Sequence, residues 1–128
     1  MLLFIDAANS ENIRLALVSS AFISEHHFNN SNLSEKLLIE IKKFLKKEKI
    51  DFSDLHKIAV ISGPGPFSKI RTAVAISNAL AFGLKISVVS IKAGQPLVWD
   101  EVLAKKGRAQ VLPFYDKAPS ITLSKKKL

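Results

Sequence analysis

The sequence predicts an α/β fold built on one mixed sheet, three antiparallel strands followed by two parallel ones, with two main helices. Three observations carry this. The stretch from Lys57 to Ile91 runs as apolar strand, glycine turn, helix-period segment and β-branched strand. Such a βαβ crossover lays two parallel strands in one sheet. Ahead of it, Leu2 to Phe28 breaks into three short apolar or alternating runs, the pattern of an antiparallel meander. Between the two, Leu33 to Lys49 repeats apolar residues at helical spacing with lysines on the other side.

Taken in order, Leu2 to Ala7 (LLFIDA) is a buried strand with Asp6 near its end, and a turn rich in Ala, Asn and Ser follows. Ile13 to Ser19 is the returning strand and Ala21 to Phe28 the third. His26 and His27 are adjacent on that strand and point to opposite faces, so they do not ligate one metal; a surface strand end is expected there. The cluster Asn29-Asn30-Ser31-Asn32 supplies an N-cap for the first helix, whose apolar stripe is Leu37 or Leu38 with Ile41, Phe44 and Leu45. After a short connection, Asp51 to His56, the run Ile58 to Ile61 ends at Ser62-Gly63-Pro64-Gly65. Gly65-Pro66 is a helix start, since proline suits the first helical position, and the second helix extends to about Leu84. Beyond the strand Ile86 to Ile91, Lys92 to Leu97 is a loop, Trp99 to Lys106 a short helix ended by Gly107 with Trp99 filling the core, and Ala109 to Tyr115 an edge strand broken by Pro113. The two main helices fall on one face of the sheet. This is the half-domain order of the ribonuclease H-like and actin-like ATPase folds. Residues 1–116 are expected to form that single lobe, and 117–128 a basic, flexible tail with at most a short strand at Ile121 to Leu123.

Composition narrows the chemistry. A chain of 128 residues holds one ordinary core, not two lobes enclosing a cleft. Without cysteine it has neither a disulfide framework nor a thiolate metal site. The opening MLLFI is cut by Asp6 and is too short for a signal segment, so a cytoplasmic protein with no membrane crossing is expected. There is no H-E-x-x-H motif and no plausible Ser/His/Asp set, which excludes the common peptidase chemistries. Nineteen Lys and Arg against eleven Asp and Glu leave a formal charge of +8, which favours phosphate-rich or acidic surfaces. Much of that excess lies between Lys36 and Lys49 and in Lys125-Lys126-Lys127. No aromatic residues interleave with these lysines as a base-stacking surface needs, and the expectation is a solvated helix face and a loose tail.

Between Thr72 and Leu84 there is no charged residue, although a helix with its back in water normally carries charge there. Two rows of small side chains, Ala75-Ala79-Gly83 and Ala73-Ser77-Ala81, would let another helix approach closely. Two occupants are open: the neighbouring helix of the same domain, or a second protein chain. At the start of this helix the free amides from Gly63 to Ser68 can receive an anion, with Lys69 and Arg71 near by.

With the elements placed, Ser62-Gly63-Pro64-Gly65-Pro66-Phe67-Ser68-Lys69-Ile70-Arg71 resembles the S-G-P-G-S-F-T-G-L-R signature of the bacterial TsaB (YeaZ) family. LLFIDAANS is similar to that family's opening I-D-T-S, and Leu112-Pro113-Phe114-Tyr115-Asp116-Lys117 to its closing P-x-Y-x-R. Within the central motif the family-like turn residues are Gly63, Pro64, Gly65, Phe67 and Arg71. Pro66, Ser68 and Lys69 depart from the signature, and Lys117 stands where the family has Arg, which removes a bidentate donor. The family ordinarily has two lobes, whereas here Ile91 reaches the closing motif in little over twenty residues, as if the second lobe had been lost internally.

The resemblance implies an accessory protein in making N6-threonylcarbamoyladenosine in tRNA. It works with the related transferase TsaD and the ATPase TsaE, pairs through its two helices with TsaD or with a second copy of itself, and meets tRNA through the complex. On that reading the chain is not itself an enzyme, and the partner contact falls on Ala75, Ala79 and Phe82, whose face lacks charge. It needs no cofactor of its own, with ATP or ADP held only within a complex. The alternative is a nucleotide-binding half-site of a dimeric ATPase-like protein, with Asp6 and Ser10 beside the Gly63 to Ser68 turn as anion-binding residues. Against it, Asp6-Ala7-Ala8-Asn9-Ser10 lacks the glycine of the actin-like D-x-G-T hairpin. A third reading is direct tRNA contact through Lys42 to Lys49 and Lys125 to Lys127.

Overall fold

In a computed structural model, residues 1–9, 11–29 and 31–114 are described. The elements run β1 (Leu2–Asp6), β2 (Asn12–Ser19), β3 (Phe22–Asn29), α1 (Leu33–Lys47), β4 (Lys57–Gly63), α2 (Phe67–Leu84), β5 (Ser87–Lys92) and α3 (Trp99–Ala104), with a 3-10 turn at Phe52–Asp54. The sheet has the order β3-β2-β1-β4-β5. β1 pairs antiparallel with β2 and parallel with β4, β2 pairs antiparallel with β3, and β4 pairs parallel with β5. The fold is thus the mixed α/β lobe that the hydrophobic periodicity predicts.

Strand alternation sends each sequence position to one of two cores. Leu3, Ile5, Leu15, Leu17, Ile58 and Val60 face α1 and α2, where Leu37, Ile41 and Phe44 meet Ile70, Ala73, Val74 and Ala81. Leu2, Phe4, Ala16, Val18, Ala59, Ile61 and Val89 face the opposite way and are covered by α3 through Val102. Because β1 and β4 are covered on both faces, their sequences are continuously apolar rather than alternating. Trp99 closes the second core, half-buried, with its ring edge-on to Phe4 at 5.1 Å between centroids and 78° between planes. The Arg14 guanidinium lies 5.5 Å from the Phe4 ring centroid and 6.0 Å from that of Trp99.

Several boundaries differ from expectation for identifiable reasons. α1 stops at Lys47 rather than Lys49, because Lys49 takes a left-handed conformation at φ 59° and the Ile50 N–H turns back to the Leu45 carbonyl at 2.9 Å. Pro66 is the N-cap of α2 rather than its first residue, its carbonyl accepting from the Ile70 N–H at 2.9 Å. α3 ends at Ala104, where the Lys57 ammonium donates to the carbonyls of Leu103 at 2.8 Å and Lys105 at 2.5 Å. His26 is not a free surface residue: it is half-buried against α1, where its Nε2 meets Glu40 Oε1 at 2.9 Å and its ring stacks on Phe44 at 5.5 Å. His27 points the other way, toward Glu25 at 3.2 Å.

The edge strand expected from Ala109 onward does not form in the described residues. Arg108 and Val88 exchange one pair of backbone hydrogen bonds, at 2.7 and 2.8 Å, and the ladder goes no further. Val111 instead donates its backbone N–H to Asn78 Oδ1 on α2 and accepts from Asn78 Nδ2 with its carbonyl, both at 2.9 Å. Ser10, the closing-motif residues Tyr115, Asp116 and Lys117, the tail 117–128 and the strand expected at Ile121 to Leu123 lie outside the described residues. No described helix is long and apolar enough to cross a membrane.

Candidate functional site

The three stretches that carry the family resemblance lie far apart in sequence, and the sheet brings their described parts together at the end where β1 and β4 finish. The Ser62-Gly63-Pro64-Gly65 turn is the centre of that junction. Gly63 has φ 126°, a conformation rarely open to a side chain, and a Cβ placed there would overlap the carbonyl oxygen of Phe114. The Phe114 N–H donates to the Ser62 carbonyl at 2.6 Å, so the closing segment is fastened to the turn by its backbone. On the other side, a Cβ at Gly65 would come within 3.0 Å of the Ala8 Cα. The two glycines are therefore required by close approach: one lets in the closing segment, the other the opening loop. The Gly63-Pro64 peptide is cis.

Around this junction, Ser62 Oγ and Ser90 Oγ lie 2.5 Å apart across β4 and β5. The Lys92 ammonium stands 4.8 Å from the Phe114 ring centroid, and the Arg71 guanidinium 5.3 Å from that of Phe67. Asp6 turns its carboxylate onto its own loop, accepting the Ala8 N–H at 2.9 Å, an Asx turn that shapes the β1–β2 connection. Among the described residues no group of three or more His, Cys, Asp or Glu side chains is arranged to hold a metal ion.

The uncharged helix resolves into two faces. Ala73, Ser77 and Ala81, one of its small-residue rows, are buried against the sheet. Ala75, Ala79 and Gly83, the other row, are exposed. Phe82 stands beside that row with 86 % of its surface accessible. α1 packs along one flank of α2, and the Asn78–Val111 clip occupies the other. Neither covers the outer row. On α1, Leu37 is the core residue of the stripe, while Leu38 and Ile39 are exposed. Of the two residues that periodicity offered for the stripe, Leu37 takes the core position and Leu38 does not; Ile39 and Asn78 were missed. The signal for Asn78 was its position as a lone amide among apolar and small residues, and for Ile39 its place outside the helical apolar stripe.

The family described as "TsaD: tRNA N6-adenosine threonylcarbamoyltransferase" matches residues 25–115. A tRNA threonylcarbamoyladenosine biosynthesis protein TsaB of Buchnera aphidicola subsp. Schizaphis graminum is 41% identical over 56 residues, 44% of this chain and 27% of that protein. Its counterpart in Buchnera aphidicola subsp. Acyrthosiphon pisum is 36% identical over 55 residues, 43% of this chain and 25% of that protein. Among solved structures, YeaZ from Pseudomonas aeruginosa superposes with a TM-score of 0.66 at 26% identity, over 71% of this chain and 44% of that one. A protein described as similar to peptidase YeaZ from Pseudomonas aeruginosa gives the same score and identity, over 71% of this chain and 42% of that one. The matched part is thus about a quarter of the curated relatives and less than half of the solved structures. The chain belongs to the TsaD family of tRNA N6-adenosine threonylcarbamoyltransferases and, within it, is a TsaB (YeaZ) type member.

Proposed function

We propose that this chain is a non-catalytic platform in tRNA N6-threonylcarbamoyladenosine modification in the cytoplasm, and that it docks a TsaD homologue on the outer face of α2. One observation carries the reading: Ala75 and Ala79 lie open beside a Phe82 that is 86 % exposed, on a helix face without charge. A phenylalanine so exposed leaves apolar surface in water that a partner helix would cover, and small residues at i and i+4 allow close approach. Leu38 and Ile39 are also exposed, on the adjoining helix. The same face serves for pairing with a second copy when the protein is alone. A TsaE homologue joins the assembly, and the transferase chemistry and any nucleotide belong to the complex.

The test is size-exclusion chromatography with light scattering, on the protein alone and mixed with the TsaD homologue of the same genome. A stable mixed complex is expected, and Ala79→Arg, which places an unpaired charge in the contact, is expected to abolish it at a cost of several kcal/mol, ~3–5. If Ala79→Arg associates as well as the natural chain, the contact does not lie on this face. If the natural chain ignores TsaD altogether, the platform role fails.

A further inference from the structure

We propose that the end of the sheet from which the parallel strands start is a docking surface for the phosphate backbone of tRNA. The choice of tRNA among polyanions rests on the proposed function; the surface itself is assigned from charge and topology. Leu2, Lys57 and Ser87 lie in register at this end. α1 and α2 both begin at the opposite end and return here, so Lys46, Lys49 and Lys85 arrive at their C-termini. The segment after α3 passes the start of β5, held by the Arg108–Val88 pair, and adds Lys105, Lys106 and Arg108. All six cations are exposed, and none enters an ion pair among the described residues.

The acidic residues here are fewer and partly engaged. Glu48 accepts from the Ser24 hydroxyl at 2.9 Å, and Asp54 from the Asp51 N–H at 2.9 Å. At the far end the charge is nearly balanced, with Asp6, Glu11 and Glu35 set against Lys36, Lys69, Arg71 and Lys92. Helix dipoles account for some lysines, since a cation in the last turn offsets the negative pole. They do not account for Lys105, Lys106 and Arg108, which belong to no long helix. Two hollows open on this end. One, of about 380 Å³, is lined by Lys42, Lys46 and Lys49 together with Asp51. The other, of about 640 Å³ along the β5 edge, is lined by Lys105, Lys106 and Arg108. A row of cations with one half-buried ring, Phe52 in the first hollow, and no array of exposed aromatics fits phosphate contact rather than base reading. It adjoins the outer face of α2 only at Lys85, whose N–H donates to the Phe82 carbonyl at 3.3 Å, and Lys85 is therefore left out of the variants.

The experiment measures binding of fluorescently labelled tRNA to the full chain by anisotropy, from 50 to 300 mM salt. Affinity should fall steeply with salt, each phosphate contact contributing about 0.7–0.9 to the logarithmic slope. Lys46→Ala/Lys49→Ala and Lys106→Ala/Arg108→Ala should each flatten that slope by about two and weaken binding roughly tenfold at low salt. Lys36→Ala/Lys92→Ala, at the other end, should change neither, and circular dichroism checks that all variants fold. The proposal is overturned if tRNA does not bind, if the first two variants bind like the natural chain, or if only replacing Lys125, Lys126 and Lys127 by Ala abolishes binding. Tighter binding to phosphatidylserine vesicles than to tRNA at equal salt would also overturn it. Association with TsaD, measured on the same variants, is a separate readout: its loss in the natural chain would refute the platform role and leave the tRNA surface standing.

Discussion

Phe82→Ala separates a residue exposed for association from one exposed by chance, because the two outcomes have opposite signs. With 86 % of its surface in water, Phe82 contributes almost nothing to the core of its own chain. Fully burying a phenylalanine side chain is worth ~1.5–3 kcal/mol. The exposed share leaves roughly 1.3–2.6 kcal/mol to be gained against a partner, a factor of about ten to seventy in the dissociation constant. If two copies pair through the same face, the side chain is lost twice and the effect is roughly squared. The isolated chain should respond the other way. Alanine has the better helix propensity by up to ~0.7 kcal/mol, so the melting temperature should rise by a degree or two. Isothermal titration with the TsaD homologue, beside a thermal melt of the chain alone, reads both quantities. Association unchanged within about threefold would refute the placement of the contact on α2. A marked loss of thermal stability would show that Phe82 packs within its own chain.

Three further substitutions test the junction and the sheet. Gly63→Ala forces a Cβ into the Phe114 carbonyl at a positive φ and should destabilise the fold by about 2–5 kcal/mol in chemical denaturation; a neutral result would mean that the closing segment does not sit on the turn. Asn78→Ala strands the Val111 N–H and C=O, at a cost of ~1–3 kcal/mol, and should accelerate hydrogen exchange at the Val111 amide well before global unfolding. Glu25 is held below its ordinary value of 4.5 chiefly by the hydrogen bond from Arg14, which outweighs the opposing effect of burial, with His27 adding to the lowering. Arg14 donates to it through Nε at 3.1 Å and Nη2 at 3.0 Å. A lowered carboxylate stabilises the fold above its unfolded value and loses that contribution as pH falls through the folded one. Glu25→Gln should therefore lower the unfolding free energy slightly at pH 7, by less than ~1 kcal/mol for so exposed a pair, with the difference vanishing below the ordinary carboxylate range.

How much of this was legible in sequence follows from which interactions are local. The five strands and two long helices follow from periodicity, because a half-buried strand or an amphipathic helix must repeat its apolar positions. The ends of elements escaped it where the deciding partner is distant. Lys57 caps α3 from 46 positions away, and Asn78 captures Val111 from 33. Neither spacing leaves a local trace. His26 was misplaced for the same reason: strand alternation gives its face, but only the packing of α1 supplies Glu40 and Phe44 to enclose it.

The junction shows the opposite case, where sequence identifies residues whose purpose only the fold explains. Gly63 and Gly65 could be read as flexible punctuation or as an anion cradle. Their geometry gives them another role, since each is the point at which a remote backbone comes too close for a side chain. The opening loop and the closing segment are thereby tied to the start of α2, and the position of that helix depends on both. The outer row of α2 is consequently a presented surface: Ser77 and Ala81 fix its inner side to the sheet, Asn78 clips one flank, and the turn sets its start. On the proposed reading, a face held at these points has little to reorganise against a partner, so its small residues and one large exposed ring would turn buried area into affinity at low entropic cost.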